Sequence, residues 1–364
     1  MTAAHGCSQE ARSKMPGSVD KLLRRDVRTT AHVSSMLPQY LLFAALATAL
    51  PLTILLSVEL WMTTAYTGVM DLKTFTEQYY SSVFRYRLLG RDLLLHLYYF
   101  LNSHIADKPY PLPRDPSGSF LLYYAYAISN GAYLFVSNLL LLSLLWVRKR
   151  GLMDRELLLY FYYMLLLAMS MAVVTPYDQL AYLLLLVGVL GARAKSQSIG
   201  ILLVAISAIA GTLNRETEFL LASFLLTMAL FSSKTLAKKY WIYLGVDLVL
   251  SLGAYIGVRL MIPGRMELIQ SLTFGGKWAL ESAVVLVLLL SAGVALAIRL
   301  YNNVSPAFVF LLFSFPYFLT VFIGGVFREL RLMVPVLLCL LCIYLFLNRA
   351  LEVPVERGSG VTLE

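Results

Sequence analysis

Four short stretches of this chain set guanidiniums, carboxylates and amides against apolar runs. They are FRYRLLGRD at 84–92, PYD at 176–178, NRETE at 214–218 and FRELR at 327–331. An arginine fork grips phosphate oxygens in two-pronged geometry and stays charged at any working pH. Arg85, Arg87, Arg91, Arg215, Arg328 and Arg331 are therefore candidate ligands for a phosphate or another anion. A carboxylate beside such a site suits proton removal from an attacking hydroxyl, or a metal ion. Asp178, Glu216 and Glu218 are placed for either role. Tyr177, Asn214 and Glu329 complete the patches, and a tyrosine there suits sugar stacking or a membrane interface equally. The plain alternative is that the Arg215–Glu216 and Arg328–Glu329 pairs only mark where apolar runs meet water.

The elements that must position these residues are membrane helices. Of 364 residues, 59% are hydrophobic and 14% charged, against roughly a quarter charged in soluble domains. The apolar residues fall in blocks near 40–61, 119–147, 156–174, 179–192, 199–213, 218–232, 240–262, 281–299, 306–326 and 331–347. A helix needs roughly 20 apolar residues to cross the hydrocarbon core. The expected fold is thus all-α, a polytopic integral membrane helical bundle of about ten transmembrane helices. The blocks 179–192, 199–213 and 218–232 are short for that task, so their polar ends are recessed or the bilayer is locally thin.

Charge sorts the connectors. Arg148, Lys149, Arg150, Arg193, Lys195, Lys234, Lys238, Lys239 and Arg299 fall on one side, whereas the 175–178 and 214–217 connectors carry only Arg215. The positive-inside rule puts the first set in the cytoplasm and all four charged stretches outside. Residues 1–36 then read as a cytosolic basic tail, 37–348 as the transmembrane domain and 349–364 as a cytosolic C-terminal tail. The long outer segment 62–118 contains LLLHLYYFL (93–101), too short to span and suited to lie at the interface. The net charge of +9 sorts by membrane side, so no nucleic-acid partner is expected. Cys7, Cys339 and Cys342 give no disulfide framework, and the histidines no zinc spacing. Asp247, inside the seventh block, is either a packed polar contact or part of a pathway.

The FRYR stretch in the first outer segment, the NRET hairpin and the late RELR together resemble the GT-C glycosyltransferases of bacterial envelopes. The resemblance covers most of the chain as a layout: inner N-terminus, long outer segment with interfacial helices, then hairpins. It implies a polyprenyl-phosphate sugar donor entering from the bilayer, arginines on its phosphate, and an acidic base in the first outer loop. On this chain the implied base is Glu59 or Asp71, and the implied phosphate ligands are Arg85, Arg87, Arg215, Arg328 and Arg331. The family commonly shows an acidic pair in that loop, whereas here Glu59 stands alone and Asp71 and Glu77 lie six apart. The implied location is the bacterial inner (cytoplasmic) membrane, multi-pass, with both termini cytoplasmic. The implied partners are a lipid-linked sugar donor, membrane lipids and polysaccharide-assembly proteins. No cofactor is demanded; a divalent metal is compatible with the carboxylates, with its ligands unassigned. A transporter or flippase of a lipid-linked saccharide, or of another anion, would use the same arginines without a base. A subunit with no substrate is the third reading. Charges gathered at one face without a visible repeat favour the enzyme.

Overall fold

The computed structural model describes residues 39, 41–58, 72–81, 83–105, 120–145, 154–171, 175–262, 305–318 and 330–351. Every regular element among the described residues is helical. Residues 1–49 and 50–364 form separate compact units. In the first, the described chain is the opening half of the apolar helix α1, Leu41–Val58.

In the second unit, α2 (Leu72–Ser81) and α3 (Leu88–Ile105) flank a short turn at Val83–Tyr86. Then come α4 (Phe120–Leu145), α5 (Asp154–Met171), α6 (Asp178–Arg193) and α7 (Gln197–Asn214). A turn at Glu216–Glu218 leads into α8 (Phe219–Phe231), followed by α9 (Lys234–Met261), α10 (Ser305–Phe313) and α11 (Val334–Leu351). A single turn, Leu330–Leu332, precedes α11.

Among the described residues, four helices are long and apolar enough to cross a membrane: Leu41–Val58, Leu121–Leu145, Gln197–Asn214 and Lys234–Met261. Shorter apolar helices lie at Glu156–Ala168, Phe219–Phe231 and Val334–Leu347. Their surfaces are inside-out relative to a soluble protein. Val249, Ile256 and Leu260 of α9 are exposed, while Asp247 and Ser251 of the same helix are buried. An apolar outer surface of this extent is favourable only in lipid. The chain is a helical membrane protein. The expected span at 281–299 lies outside the described residues, as does 319–326 of the block at 306–326.

Two expectations shift in detail. The block expected at 240–262 is a helix from Lys234, because lysine is a good helix former. Hydropathy marks where lipid begins, not where the helix does. The nine-residue aromatic stretch at 93–101 is the middle of the 18-residue α3, whose Arg91, Leu94, Leu95 and Leu101 are buried. With Phe75 and Tyr79 of α2, α3 caps Leu122 and Tyr126 of α4.

The remaining helices pack in sequence: α6 on α7, α7 and α8 on α9, α4 on α6, α11 on α8. Small residues bring α6 and α7 together. A Cβ on Gly191 would stand 2.9 Å from Leu203 Cβ and 3.0 Å from the Gly200 carbonyl. With no hydrophobic force between helices in lipid, such close backbone approach is a main source of attraction. Helix length then decides depth. The 28 residues of α9 rise about 42 Å, while the 13 of α8 rise only about 20 Å.

Candidate functional site

The start of α6 is held from three sides before any charge is considered. Asn214 Nδ2 at the end of α7 donates to the Tyr177 carbonyl at 2.8 Å, and Asn130 Nδ2 of α4 donates to the Thr175 carbonyl at 3.4 Å. The Asp178 backbone N–H donates to Thr175 Oγ1 at 3.3 Å. From above, α3 presses a bare glycine onto the same place. A Cβ on Gly90 would collide with the Pro176 carbonyl and stand 2.7 Å from Asn214 Oδ1 and 3.0 Å from Tyr177 Cα. FRYRLLGRD, PYD and NRETE are therefore one packed unit.

Asp178 collects the charge. Its Oδ1 accepts a hydrogen bond from Arg215 Nη1, and its Oδ2 accepts one from Arg331 Nη1 at 2.8 Å. All three side chains are buried. Arg331 is fixed by its backbone as well, because Tyr182, one helical turn beyond Asp178, donates its hydroxyl to the Arg331 carbonyl at 2.8 Å. Tyr317 does the same to the Leu332 carbonyl at 2.6 Å. Arg331, the last residue of the fourth patch, is thereby pinned to the other three.

A third guanidinium joins through an aromatic ring. Arg87 Cζ lies 4.5 Å from the centroid of Tyr177, and Arg215 Cζ lies 5.5 Å from it. Phe84 stacks on Tyr177 at 6.0 Å, and Tyr79 meets it edge-on at 6.1 Å. Burial, reinforced by Arg87 and Arg331, pulls the Arg215 guanidinium down to about 10. Like-charge crowding of this kind is relieved by an anion. Burial also raises the Tyr79 hydroxyl well above its ordinary value, followed by the influence of Tyr126 and Tyr177, so Tyr79 is a neutral neighbour.

The candidate residues separate into distinct groups. Arg87, Tyr177, Asp178, Asn214, Arg215 and Arg331 converge. Arg85 instead donates to the Tyr86 hydroxyl at 2.7 Å. Arg91 binds Asp92 at 2.7 Å and the Tyr79 carbonyl at 3.3 Å, and so ties α3 to the end of α2. Glu59, Asp71, Arg328 and Glu329 lie outside the described residues, as does the side chain of Glu216. Both oxygens of Asp178 accept from arginines, a geometry that holds cations in place. Glu218 turns away from the cluster to Ser207 of α7. Among the described residues no three His, Cys, Asp or Glu side chains cluster as metal ligands.

Sequence reasoning passed over four contributors. Tyr182 was legible in principle, lying four residues after Asp178 on one helix face. Arg259, in the last turn of α9, stands over Tyr86 at 4.2 Å and over Tyr255 at 4.7 Å, adding a cation beside the FRYR stretch. Asn130 and Tyr317 had no signal, since each acts on backbone carbonyls of distant segments. The chain matches no protein-family model, no curated protein and no solved structure.

Proposed function

We propose that the Arg87–Arg215–Arg331 cluster binds the phosphate of a lipid-linked sugar. On this reading the protein is a GT-C-type membrane glycosyltransferase working at the outer face of the bacterial inner membrane, in envelope polysaccharide or glycolipid biosynthesis. The observation that carries the reading is the convergence of four patches, distant in sequence, on Asp178 and Tyr177. Boundary-marking charges have no reason to meet. Depth supports it too, because α8 rises only about 20 Å against a hydrocarbon core of about 30 Å. The Arg215 end of the α7–α8 hairpin then sits where a lipid-borne phosphate enters sideways.

In the transfer step the acceptor hydroxyl oxygen attacks the anomeric carbon and its proton passes to the base. The bond from that carbon to the phosphate oxygen breaks, and its electron pair leaves with the lipid phosphate. Guanidiniums stabilise the charge that grows on the departing oxygens. On this reading the base is Glu59 or Asp71, which lie between α1 and α2 in the sequence.

A guanidinium-to-phosphate bond contributes about 1.5–3 kcal/mol, so Arg87→Gln should weaken binding of a polyprenyl phosphate probe roughly 10- to 150-fold. Native mass spectrometry of the full chain measures this, with Lys195→Gln at the opposite end as the unchanged control. Equal loss in both variants, or none in Arg87→Gln, sinks the reading.

The second reading, a flippase or transporter of the same lipid-linked saccharide, draws on one observation of its own. Glu218 and Asp247 are carboxyls buried among membrane helices, and such groups often mark transport pathways. Proteoliposomes loaded with labelled lipid-linked sugar separate the two. Transfer without net translocation supports the enzyme, and translocation without transfer supports the flippase.

A further inference from the structure

We propose that Glu218 and Asp247 form a proton-holding site inside the helical bundle, one turn of chain from Arg215. Glu218 heads α8 and is 3% exposed, while Asp247 lies in the middle of α9 and is 1% exposed. Among the described residues neither carboxyl has an ion-pair partner. An isolated buried carboxylate is too costly to keep charged, so a group in this position takes up a proton or a cation.

The hydrogen count at Ser207 selects the proton. Ser207 Oγ lies 2.6 Å from Glu218 Oε1 and 2.8 Å from the Leu184 carbonyl oxygen. A carbonyl oxygen can only accept, and a serine hydroxyl has one hydrogen to give. If Ser207 donates to Glu218, the contact with Leu184 sets two lone pairs against each other. If Ser207 donates to Leu184, its own oxygen must accept, and the donor is a protonated Glu218. The second arrangement gives each of the two short distances a hydrogen of its own.

The neighbourhood agrees. A Cβ on Gly211 would collide with the Glu218 carboxyl, so α7 packs directly on that group with no room for a longer side chain. Asp247 Oδ1 is buried without a hydrogen-bond partner. The charged or titratable groups facing Glu218 are few. They are the Asp247 carboxyl from α9 and the Cys339 thiol from α11. From α6 the contact is the Leu184 carbonyl, and from α7 the Ser207 hydroxyl. The guanidinium of Arg215, three residues before Glu218, is engaged with Asp178. A proton lost here would place a negative charge one turn below the arginine cluster, so proton release and anion binding are linked.

The test uses the full chain in lipid nanodiscs and needs no knowledge of the substrate. Dicyclohexylcarbodiimide adds to a protonated carboxyl in apolar surroundings and rearranges to a stable N-acylurea without a leaving group. At pH 7, peptide mapping should find the adduct on Glu218 or Asp247, with its yield falling as the pH is raised. Infrared spectra at pH 7 should show the carbonyl stretch of a protonated carboxyl, which Glu218→Gln weakens. Absence of both signals in the folded wild-type chain overturns the proposal. So does an adduct that forms in choline buffer and is lost in sodium, which would make the occupant sodium. Both wild-type measurements stand even where Glu218→Gln fails to fold. Neither depends on the arginine cluster binding a lipid phosphate.

Discussion

The two ends of α6 spend their cations differently. At the C-terminal end, Arg193 Nη1 donates to the Leu144 carbonyl at 3.0 Å, and Lys239 Nζ donates to the Ala194 carbonyl at 2.6 Å. Both acceptors lie at or just past helix C-termini, where carbonyls lack partners and the helix dipole favours positive charge. Those cations finish helices. At the N-terminal end, Arg215 and Arg331 come from elements far apart in sequence and meet on a carboxylate. No helix end requires them there. A basic residue beside a membrane helix is therefore weak evidence of a site, and its acceptor tells the two cases apart.

Removing Asp178 should break this contrast most severely. In Asp178→Ala two buried guanidiniums lose their shared counter-charge, and breaking a buried pair in this way costs about 3–5 kcal/mol. Thermal unfolding of the detergent-solubilised chain should show the largest drop of any single change discussed here. Asp178→Asn keeps the size and one acceptor oxygen, and should fall between Asp178→Ala and the wild type. A loss no greater than that of a surface substitution would mean that Asp178 does not hold the arginines.

The parts that were legible before the structure were those with a period or a charge. Apolar blocks located α4, α7 and α9, and the positive-inside rule grouped the four charged stretches at one end. Composition does not encode which neighbour a side chain takes. Arg85 and Arg87 look alike in FRYR, yet one rests on Tyr86 and the other on Tyr177. The sequence also left Asp178 open as a base, and its distance from Arg215 and Arg331 appears only once α6, the α7–α8 turn and the turn before α11 are assembled. Gly90 gave no signal, since a glycine near a helix start has many uses and only the crossing of α3 over Pro176 assigns one.

That crossing makes the next largest prediction. Gly90→Ala adds a methyl against the Pro176 carbonyl, a backbone atom that cannot swing aside. Overpacking of this kind costs about 1–3 kcal/mol. It should also loosen the seat of Tyr177 and weaken anion binding more than stability alone accounts for. Gly245 provides the comparison, because a Cβ there meets nothing within 4 Å on α9. Gly245→Ala should be neutral or stabilising by up to about 1 kcal/mol, as expected for alanine replacing a mid-helix glycine. Equal effects at the two positions would show that α3 does not press on the PYD loop.

Lys239→Met, at the opposite end of α6, should do least. Lys239 is half-exposed, its ammonium reaches the Ala194 carbonyl, and it lies 5.3 Å from the Tyr243 ring centroid. Methionine keeps most of the apolar contact and gives up one charge-assisted bond at a helix end that water can also serve. The expected cost is about 0.3–1 kcal/mol. Polyprenyl phosphate binding should be unchanged, because this cation is on the far side of the bundle from Arg87 and Arg215. The measurement pairs thermal unfolding with probe binding on the same preparation, set beside Asp178→Ala. If Lys239→Met costs as much stability as Asp178→Ala, or abolishes probe binding, the distinction between cations that cap helices and cations that build a site does not hold for this protein.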